Sequence, residues 1–407
     1  MATIAVLGLG ARGTMFSKIA TASGYSITAV CDINIERRKD ATTLFGVKEE
    51  NCFEKAEDFF AKGKLADVLI LSTLDDSHYE YCIKALNIGY DILLEKPIAL
   101  TLEECIGIGE EAKRLNRKIG VCHVLRYTPF YTKMKELIDS GVIGRVMNIN
   151  QIENVGYYHF AHSFVRGNWH NSKETCPMIL AKCCHDFDLI LWLTDKSCEA
   201  LSSFGALDYF KKENEPKGCA DRCKDCKSEN CPYNAYKIYN EYYDWVKQPN
   251  GVEYTKENAR KVLDDNSTFY DKCVFRCDND VVDHQMVNMQ LEDGVLAQLT
   301  MQAFSSECYR RTQICGTHGE INGILEQNKI TVSLFGGKTW DIDIEINDAL
   351  SQHSGGDKKL LLDFISFIED TEYEQFKTKI DKSVESHKLA FMAEESRIQG
   401  GKAIILK

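Results

Sequence analysis

The chain has 407 residues, of which 44% are hydrophobic and 27% are charged. This composition is typical of a globular protein, and the length predicts two or three domains. The 61 acidic residues outnumber the 49 basic ones, giving a formal charge of −12, so nucleic acid is not an expected partner. No apolar run approaches the roughly 18 residues of a membrane span, and the first residues lack a signal peptide's basic segment. We expect no membrane partner.

The 17 cysteines are too few, and odd in number, for a disulfide-rich scaffold. Several stand singly within apolar segments, where a reduced cysteine behaves as a small hydrophobic residue. Without a secretory signal, a reducing cytoplasm is the predicted localisation.

The first 125 residues alternate short apolar runs with helical patterns. The runs predict strands at 4–7, 27–31, 68–71, 92–94 and 119–122. The segments between them predict helices at 14–21, 36–44, 77–88 and 102–115, and Thr101 with Glu104 forms a capping-box sequence for the last helix. This alternation indicates βαβ units and a parallel sheet in an α/β domain over residues 1–125.

From residue 126 onward the pattern changes. A helix at 131–138, a strand at 144–152 and a helix from Pro177 to Leu193 come first. Runs typical of a β-meander follow at 281–303, 312–325 and 330–334, and helices at 360–368 and 383–399 close the chain. We predict a second, α+β domain over residues 126–407. A polar, aromatic and cysteine-rich insertion interrupts it at about 208–266.

A GxGxxG loop joins the first predicted strand to the first helix. Its glycines suit a tight turn, close approach to a pyrophosphate, and helix–strand packing, and the helix N-terminus offers N–H groups to phosphate. Asp32 ends the next strand at the spacing of a ribose-binding carboxylate, which favours NAD because it repels the 2′-phosphate of NADP. Arg37 can soften this preference, so NADP stays possible. The loop residues predicted to bind the cofactor are Gly8, Gly10, Ala11, Arg12 and Gly13.

The tripeptide Glu95-Lys96-Pro97, directly after a predicted strand, resembles a motif of the Gfo/Idh/MocA oxidoreductases, the group of glucose–fructose oxidoreductase and inositol dehydrogenase. The resemblance spans nearly the whole chain except the cysteine-rich insertion. Other segments that carry it are the glycine loop, 71–73, His78, Arg126-Tyr127, 185–188 and 386–397.

The resemblance implies a Rossmann domain followed by an α+β domain with an open, mostly antiparallel sheet. It also implies a tightly held nicotinamide cofactor, sugar-like or cyclitol substrates, and homodimers or homotetramers formed through the open sheet. The family's EKP lysine lies beside nicotinamide and substrate; here it is Lys96, which can stabilise a developing alkoxide. Further residues expected at the cofactor on this basis are Ser72, Thr73, His78, Glu95, Lys96 and Arg126.

The chain departs from the family at the proton acceptor. Many members carry an aspartate four residues before a helix histidine, but here that position is Ala181, followed by Lys182. We expect His185 to accept the substrate proton, with its tautomer set by Asp186 or Asp188. Lys182 is the alternative, because it shares a helix face with His185 and a desolvated lysine has a lowered pKa.

The segment 157–169 is dense in polar and aromatic residues. Aromatic rings stack on sugar C–H surfaces, whereas histidine, arginine and asparagine bind hydroxyl or carboxylate groups. Together with one residue from a later strand, the predicted substrate-binding residues are Tyr158, His159, His162, Arg166, Asn168, Trp169 and His284. An alternative is that four histidines converge on a metal ion: His159, His162, His185 and His284.

Four cysteines lie within 13 residues of the insertion. Thiolates at such spacing can form a tetrahedral zinc site, which would fold a segment with little apolar core. We predict structural zinc, with an iron–sulfur cluster, disulfides or free thiols as alternatives. Cys273 or Cys277 can supply a further ligand. The predicted ligands are Cys219, Cys223, Cys226 and Cys231.

These features predict an NAD(P)-dependent dehydrogenase that exchanges a hydride with a hydroxyl-bearing carbon of a sugar, sugar derivative or cyclitol. One alternative is a redox-neutral glycosidase, which oxidises a glycoside transiently, eliminates the aglycone and returns the hydride. The other is a non-catalytic NAD-binding sensor. Only the dehydrogenase makes one NADH per turnover.

Overall fold

The computed structural model describes residues 1–249, 252–265, 268–346, 355–370 and 372–406. Its N-terminal part is a parallel sheet in the order β3-β2-β1-β4-β5-β6, which confirms the predicted Rossmann-type fold. The strands are β1 (Ile4–Leu7), β2 (Ile27–Cys31), β3 (Cys52–Phe53), β4 (Val68–Leu71), β5 (Asp91–Leu94) and β6 (Ile119–Val121). The helices are α1 (Ala11–Ala22), α2 (Ile35–Phe45), α3 (Ala56–Ala61), α4 (His78–Ile88) and α5 (Leu102–Arg114).

The local signals behave as the sequence indicates. Strands β1 and β4 are buried along their whole length, because helices cover both faces of a parallel sheet. At the start of α5, Thr101 and Glu104 form the expected capping box.

The second sheet is mixed and open, in the order β14-β13-β12-β11-β7-β10-β9-β8-β15, with β7 and β10 parallel and the other described neighbours antiparallel. This confirms the predicted fold class. The strands are β7 (Val146–Asn154), β8 (Cys198–Ala206), β9 (His284–Leu291), β10 (Leu296–Gln302), β11 (Tyr309–Gly316), β12 (Gly319–Ile324), β13 (Lys329–Leu334), β14 (Thr339–Asp343) and β15 (Ile404–Ile405). Along β9 the side chains alternate strictly between exposed and buried, so helices cover one face of this strand.

Helix α8 packs between the second sheet and the C-terminal helix, and it is buried on nearly every side. Within the described ranges, no helix has both the length and the apolar character required to span a bilayer. The remaining helices are α6 (Pro129–Asp139), α7 (Tyr157–Phe160), α8 (Met178–Thr194), α9 (Ala235–Glu241), α10 (Lys256–Asp264), α11 (Gly356–Glu369) and α12 (Ile380–Ile398), with a π-helical turn at Ala161–Arg166.

The C-terminal part of the chain completes the first sheet. Helix α11 packs its apolar face on this sheet, in one buried cluster with Ile4 and Val6. The Val121 N–H donates to the Thr378 carbonyl at 2.9 Å, so the residues before α12 extend the edge at β6. Gly120 makes room for this packing, because a Cβ there would lie 2.7 Å from both Phe364 and Phe376.

The cysteine-rich insertion has more apolar core than the sequence suggested. Phe210, Tyr233 and Tyr239 are buried in the main cluster of the second domain. The Tyr158 ring stacks on Tyr242 with centroids 4.3 Å apart, which ties the insertion to α7. Residues 250, 251 and 266 of the insertion lie outside the described residues.

Candidate active site

The glycine loop between β1 and α1 has the backbone that a dinucleotide requires. Gly8 has φ +95°, and a Cβ there would lie 2.5 Å from the Ser72 carbonyl oxygen. A Cβ on Gly13 would lie 1.9 Å from the Gly8 carbonyl oxygen, so only glycine allows α1 to pack this closely on the end of β1. A Cβ on Gly10 meets nothing within 4 Å, which leaves space beside the N-terminus of α1 for a pyrophosphate. The residues present fit the cofactor.

Ser72 and Thr73, the other loop residues expected at the cofactor, follow β4. The Ser72 hydroxyl donates to the Gly8 carbonyl at 2.8 Å and so supports the glycine turn. The Thr73 hydroxyl lies 2.6 Å from the Ser77 hydroxyl. Both residues therefore flank the space beside the loop.

Asp32 lies beside the glycine loop at the end of β2. Its Oδ2 accepts a hydrogen bond from the Leu9 N–H at 2.7 Å and one from Arg37 Nη1 at 3.3 Å. Its Oδ1 accepts from the Asn34 N–H at 2.8 Å. Asp32 and Arg37, the two residues predicted to set the preference between NAD and NADP, are therefore in direct contact.

Arg12 joins the loop to the EKP turn. Its Nε donates to Glu95 at 2.5 Å and its Nη1 donates to Asp357 of α11 at 2.7 Å. Burial lowers the pKa of Arg12, but the two carboxylates outweigh burial and the net pKa is raised. Burial likewise raises the pKa of Glu95, yet the guanidinium prevails and holds that pKa below its usual range. Arg12 and Glu95 therefore stay charged, and with Asp357 they brace the site.

Two buried histidines hold the backbone after Lys96. His78 places Nδ1 2.8 Å from the Pro97 carbonyl oxygen and Nε2 3.3 Å from that of Thr73. The Ile98 N–H donates to Nε2 of His387 at 2.9 Å. The Lys96–Pro97 peptide is cis. His78, predicted to bind cofactor, thus contacts the two backbone segments that flank the cofactor space.

Lys96 reaches from the first domain to the second. Its Nζ donates to the carbonyl oxygen of Ala181 on α8 at 3.0 Å. This contact brings the end of β5 next to the helix that carries Lys182 and His185. An ammonium group has three donors, so Lys96 keeps donors for a substrate oxygen.

Lys182 faces a buried charged network on β7, α8 and β11. Its Nζ lies 3.4 Å from Oε1 of Glu153, and Arg310 Nε lies 2.9 Å from Oε2 of the same carboxylate. Arg310 also donates to Asp186 through Nε at 3.0 Å. Gln151 donates to Asp186 at 2.8 Å. Sequence analysis did not identify Glu153 or Arg310.

His185 is buried on the same helix, with its ring centroid 5.5 Å from that of His123. The carboxylates expected to orient it are engaged by arginines. Asp188 accepts from Arg126 Nε at 2.7 Å and Nη2 at 2.6 Å, and Asp186 accepts from Arg310. A buried carboxylate requires a full counter-charge. An arginine is always charged and supplies it, whereas a histidine supplies it only when it is protonated. Arg126, predicted at the cofactor, therefore binds Asp188.

Three predicted substrate residues line a cavity of about 680 Å³ between the loop after β4 and residues 269–278, which follow the insertion. They are Arg166, Asn168 and Trp169. The Trp169 indole donates to Asp75 of that loop at 2.8 Å. Arg166 is buried and donates at 2.7 Å to the Tyr233 carbonyl of the insertion and at 2.8 Å to the Lys272 carbonyl, which follows the insertion.

The other predicted substrate residues are dispersed. His159 lies within 3.9 Å of Cys308 near the Lys182 network, and burial, followed by the charge of Lys182, lowers the pKa of His159 well below its usual value. His162 Nδ1 lies 2.8 Å from the Tyr239 hydroxyl in the aromatic core. Tyr158 also belongs to this core, where its ring packs on Tyr242. His284 stands on the exposed face of β9, beside Asp283. The four histidines do not converge.

The zinc prediction for the insertion is not supported. In the described parts of the chain, no group of three or more histidine, cysteine, aspartate or glutamate side chains can hold a metal ion. Cys223 Sγ receives the Ala235 N–H at 3.4 Å and lies 3.7 Å from Arg166 Nη2, and Cys219 interacts with the thiols of Cys226 and Cys273. The insertion also has buried aromatic side chains of its own, so its folding does not require a metal ion. The predicted ligands were Cys219, Cys223, Cys226 and Cys231.

Comparison with known proteins agrees with this geometry. Residues 2–123 match the NAD-binding Rossmann fold of the Gfo/Idh/MocA oxidoreductase family, and residues 135–403 match that family's C-terminal alpha/beta domain. The chain belongs to the Gfo/Idh/MocA oxidoreductase family. Its N-terminal domain is accordingly an NAD-binding domain.

Relatives of this Gfo/Idh/MocA protein include the oxidoreductase YteT of Bacillus subtilis (strain 168), 28% identical over 396 residues that cover 89% of this chain and 88% of YteT. The inositol 2-dehydrogenase/D-chiro-inositol 3-dehydrogenase of Lactiplantibacillus plantarum is 29% identical over 151 residues, 36% of this chain and 43% of that enzyme. An inositol dehydrogenase homologue from Azotobacter vinelandii, solved with NAD+, aligns with 99% of this chain and 97% of its own at TM-score 0.73 and 14% identity. That last likeness concerns the fold alone.

The charged network of this Gfo/Idh/MocA protein left one signal in the sequence. Gln151 and Glu153 are two apart near the end of a strand and therefore point to the same face. Polar residues on the inward face of an amphipathic strand need buried partners. The partner Arg310 is not recognisable by spacing, because it lies on β11, far along the chain.

Proposed function

We propose that the protein is an NAD-dependent dehydrogenase acting on a hydroxyl-bearing carbon of a sugar, sugar derivative or cyclitol. The observation that carries this proposal is the 3.0 Å contact between Lys96 Nζ and the Ala181 carbonyl oxygen. It places an ammonium group and the side chains of α8 at the carboxyl end of the parallel sheet, where Rossmann folds bind ligands.

The glycine loop would hold the pyrophosphate, and Asp32 would bind the adenosine ribose, which favours NAD over NADP. When bound, the nicotinamide accepts the hydride from the substrate carbon. Lys96 donates a hydrogen bond to the reacting oxygen and stabilises its developing negative charge. A base on α8, Lys182 or His185, takes the hydroxyl proton. Trp169 and Asn168 contact the sugar from the cavity wall.

The outer face of the second sheet suits a second copy of the chain. Phe204 and Met286 are cross-strand partners on β8 and β9, and both side chains are more than half exposed. Leu296 on β10 is exposed as well. An apolar surface of this kind marks an interface, so we infer a homodimer or homotetramer.

The proposal is tested on purified protein by titrating NAD and NADP against tryptophan fluorescence and by screening sugars, cyclitols and aryl glycosides. NADH absorbance and aglycone release are followed together. We expect NAD binding and stoichiometric NADH, with Lys96→Met losing at least about a hundredfold in kcat. Lys62→Met, on an exposed helix end, is the matched control. Absence of nucleotide binding refutes the proposal, and aglycone release without net NADH identifies a redox-neutral glycosidase instead.

A further inference from the structure

Glu153 is a fully buried carboxylate whose charged neighbours are Lys182 and Arg310. Its Oε1 lies 3.4 Å from Lys182 Nζ and its Oε2 lies 2.9 Å from Arg310 Nε. Burial makes the charged form of a carboxylate costly, because it removes the hydration that water would supply. Glu153 is therefore well suited to take up a proton.

The neighbouring carboxylate differs in this respect. Asp186 accepts hydrogen bonds from Arg310 Nε at 3.0 Å and Nη2 at 3.2 Å, and from Gln151 at 2.8 Å. These bonds stabilise the charged form of Asp186. Burial raises the pKa of Glu153, and this effect outweighs the opposing charges of Arg310 and Lys182. Glu153 is therefore the carboxylate that the relay uses as its proton acceptor.

Lys182 lies next to the contact between Lys96 and α8, where we place the reacting hydroxyl. It follows Ala181, whose carbonyl oxygen binds Lys96, and its side chain is 16% exposed. A charged lysine cannot accept a proton unless it gives one away first. The short distance to Glu153 supplies the acceptor for that proton.

We propose that Lys182 and Glu153 form a proton relay that replaces the aspartate absent at Ala181. Lys182 Nζ passes a proton to Oε1 of Glu153 and takes the proton of the substrate hydroxyl in its place. Bound NAD would accept the hydride of the carbinol carbon. The pair begins as ammonium and carboxylate and ends as ammonium and carboxylic acid. The relay rests on the proposed dehydrogenase function, which supplies NAD as the oxidant.

Several charged and titratable groups surround the relay on the elements packed against it. The charges of Arg310 and Lys182 oppose protonation of Glu153, whereas those of Asp186 and Glu326 favour it. The groups facing the pair are His159, Cys183, Asp186, Cys308, Arg310 and Glu326.

The kinetic test compares pH profiles of kcat for the wild type, Glu153→Gln, Glu153→Asp and Lys182→Met, using the substrate with the highest NADH yield in the screen. In the wild type the acidic limb reports protonation of Glu153. In Glu153→Gln only the amine of Lys182 can accept the proton, so the limb moves up by at least about one pH unit and kcat falls about tenfold or more at pH 7. Glu153→Asp restores the limb in part. Glu320→Gln on β12 is the matched control.

A second measurement does not depend on turnover. Infrared difference spectra of the wild type across a pH titration should contain a protonated carboxyl band that titrates above the usual carboxyl range and is missing in Glu153→Gln. If the limb stays in place in Glu153→Gln, or the band titrates like an ordinary carboxyl, the relay is refuted. If the wild type forms no NADH with any compound, the dehydrogenase function itself fails.

Discussion

The backbone N–H of Ile98 donates a hydrogen bond to Nε2 of His387 at 2.9 Å, across a separation of 289 positions in the chain. Because Nε2 accepts, the ring proton lies on Nδ1, which faces the Ser383 carbonyl oxygen at 2.8 Å. The imidazole is therefore neutral, and α12 holds the turn that carries Lys96. The position of the proposed electrophilic lysine thus depends on the last helix of the fold.

This arrangement makes stability depend on pH. Burial lowers the pKa of His387 to about 3, whereas an unfolded histidine titrates near about 6.5. The contribution of His387 is complete above that unfolded value and is lost as the pH falls towards the folded one, because only the unfolded chain binds the proton. We expect urea unfolding to show a loss of up to about 1.4 kcal/mol per pH unit from this group. In His387→Gln the slope of the free energy of unfolding against pH should correspond to about one proton fewer taken up on unfolding. An unchanged slope would contradict this role of His387.

Arg12 offers a test of the brace between the two domains. In Arg12→Met, Glu95 and Asp357 keep their buried carboxylates but lose the shared cation. We expect the free energy of unfolding to drop by about 3–5 kcal/mol, measured by chemical denaturation. Arg114→Met, which removes an exposed pair with Glu111, should cost far less than Arg12→Met. Similar losses in both variants would show that the brace is no stronger than a surface pair.

A substitution at Gly10 tests cofactor binding without disturbing the fold. A Cβ at this position meets no protein atom within 4 Å. We therefore expect Gly10→Ala to keep its melting temperature within about 2 °C while the Kd for NAD rises at least about tenfold, since the methyl group occupies the pyrophosphate space. Gly109→Ala, whose Cβ would lie 3.7 Å from Ile380, serves as the control. Unchanged NAD affinity in Gly10→Ala would place the pyrophosphate elsewhere.

Cofactor choice should depend on Asp32. Replacing it with serine removes the charge that repels a 2′-phosphate and leaves Arg37 at the same position. We expect the ratio of the Kd for NADP to the Kd for NAD to fall at least about tenfold in Asp32→Ser, by fluorescence titration. The double variant Asp32→Ser/Arg37→Ala should lose most of the gained NADP affinity. If it does not, Arg37 has no part in the choice.

The elements were predictable to different degrees. Strands β1, β2 and β4 match the predicted residues, because continuous apolar runs between helices are a local signal. Strand β8 was not predicted, because its sequence has little regular alternation and it is defined by pairing with β9. Helix α11 was predicted as a helix, but its packing on the first sheet was not, since chain order gives no indication of it.

The amino-acid sequence by itself determined the dinucleotide loop, the EKP turn and the helix bearing Lys182 and His185, because these depend on residue types at fixed short spacings. The tertiary structure alone decided which charges meet. It paired Glu153 with Lys182 and Arg310, and it paired Asp188 with Arg126. Charges in a dry interior must find counter-charges, and these come from segments that only the folded chain brings together.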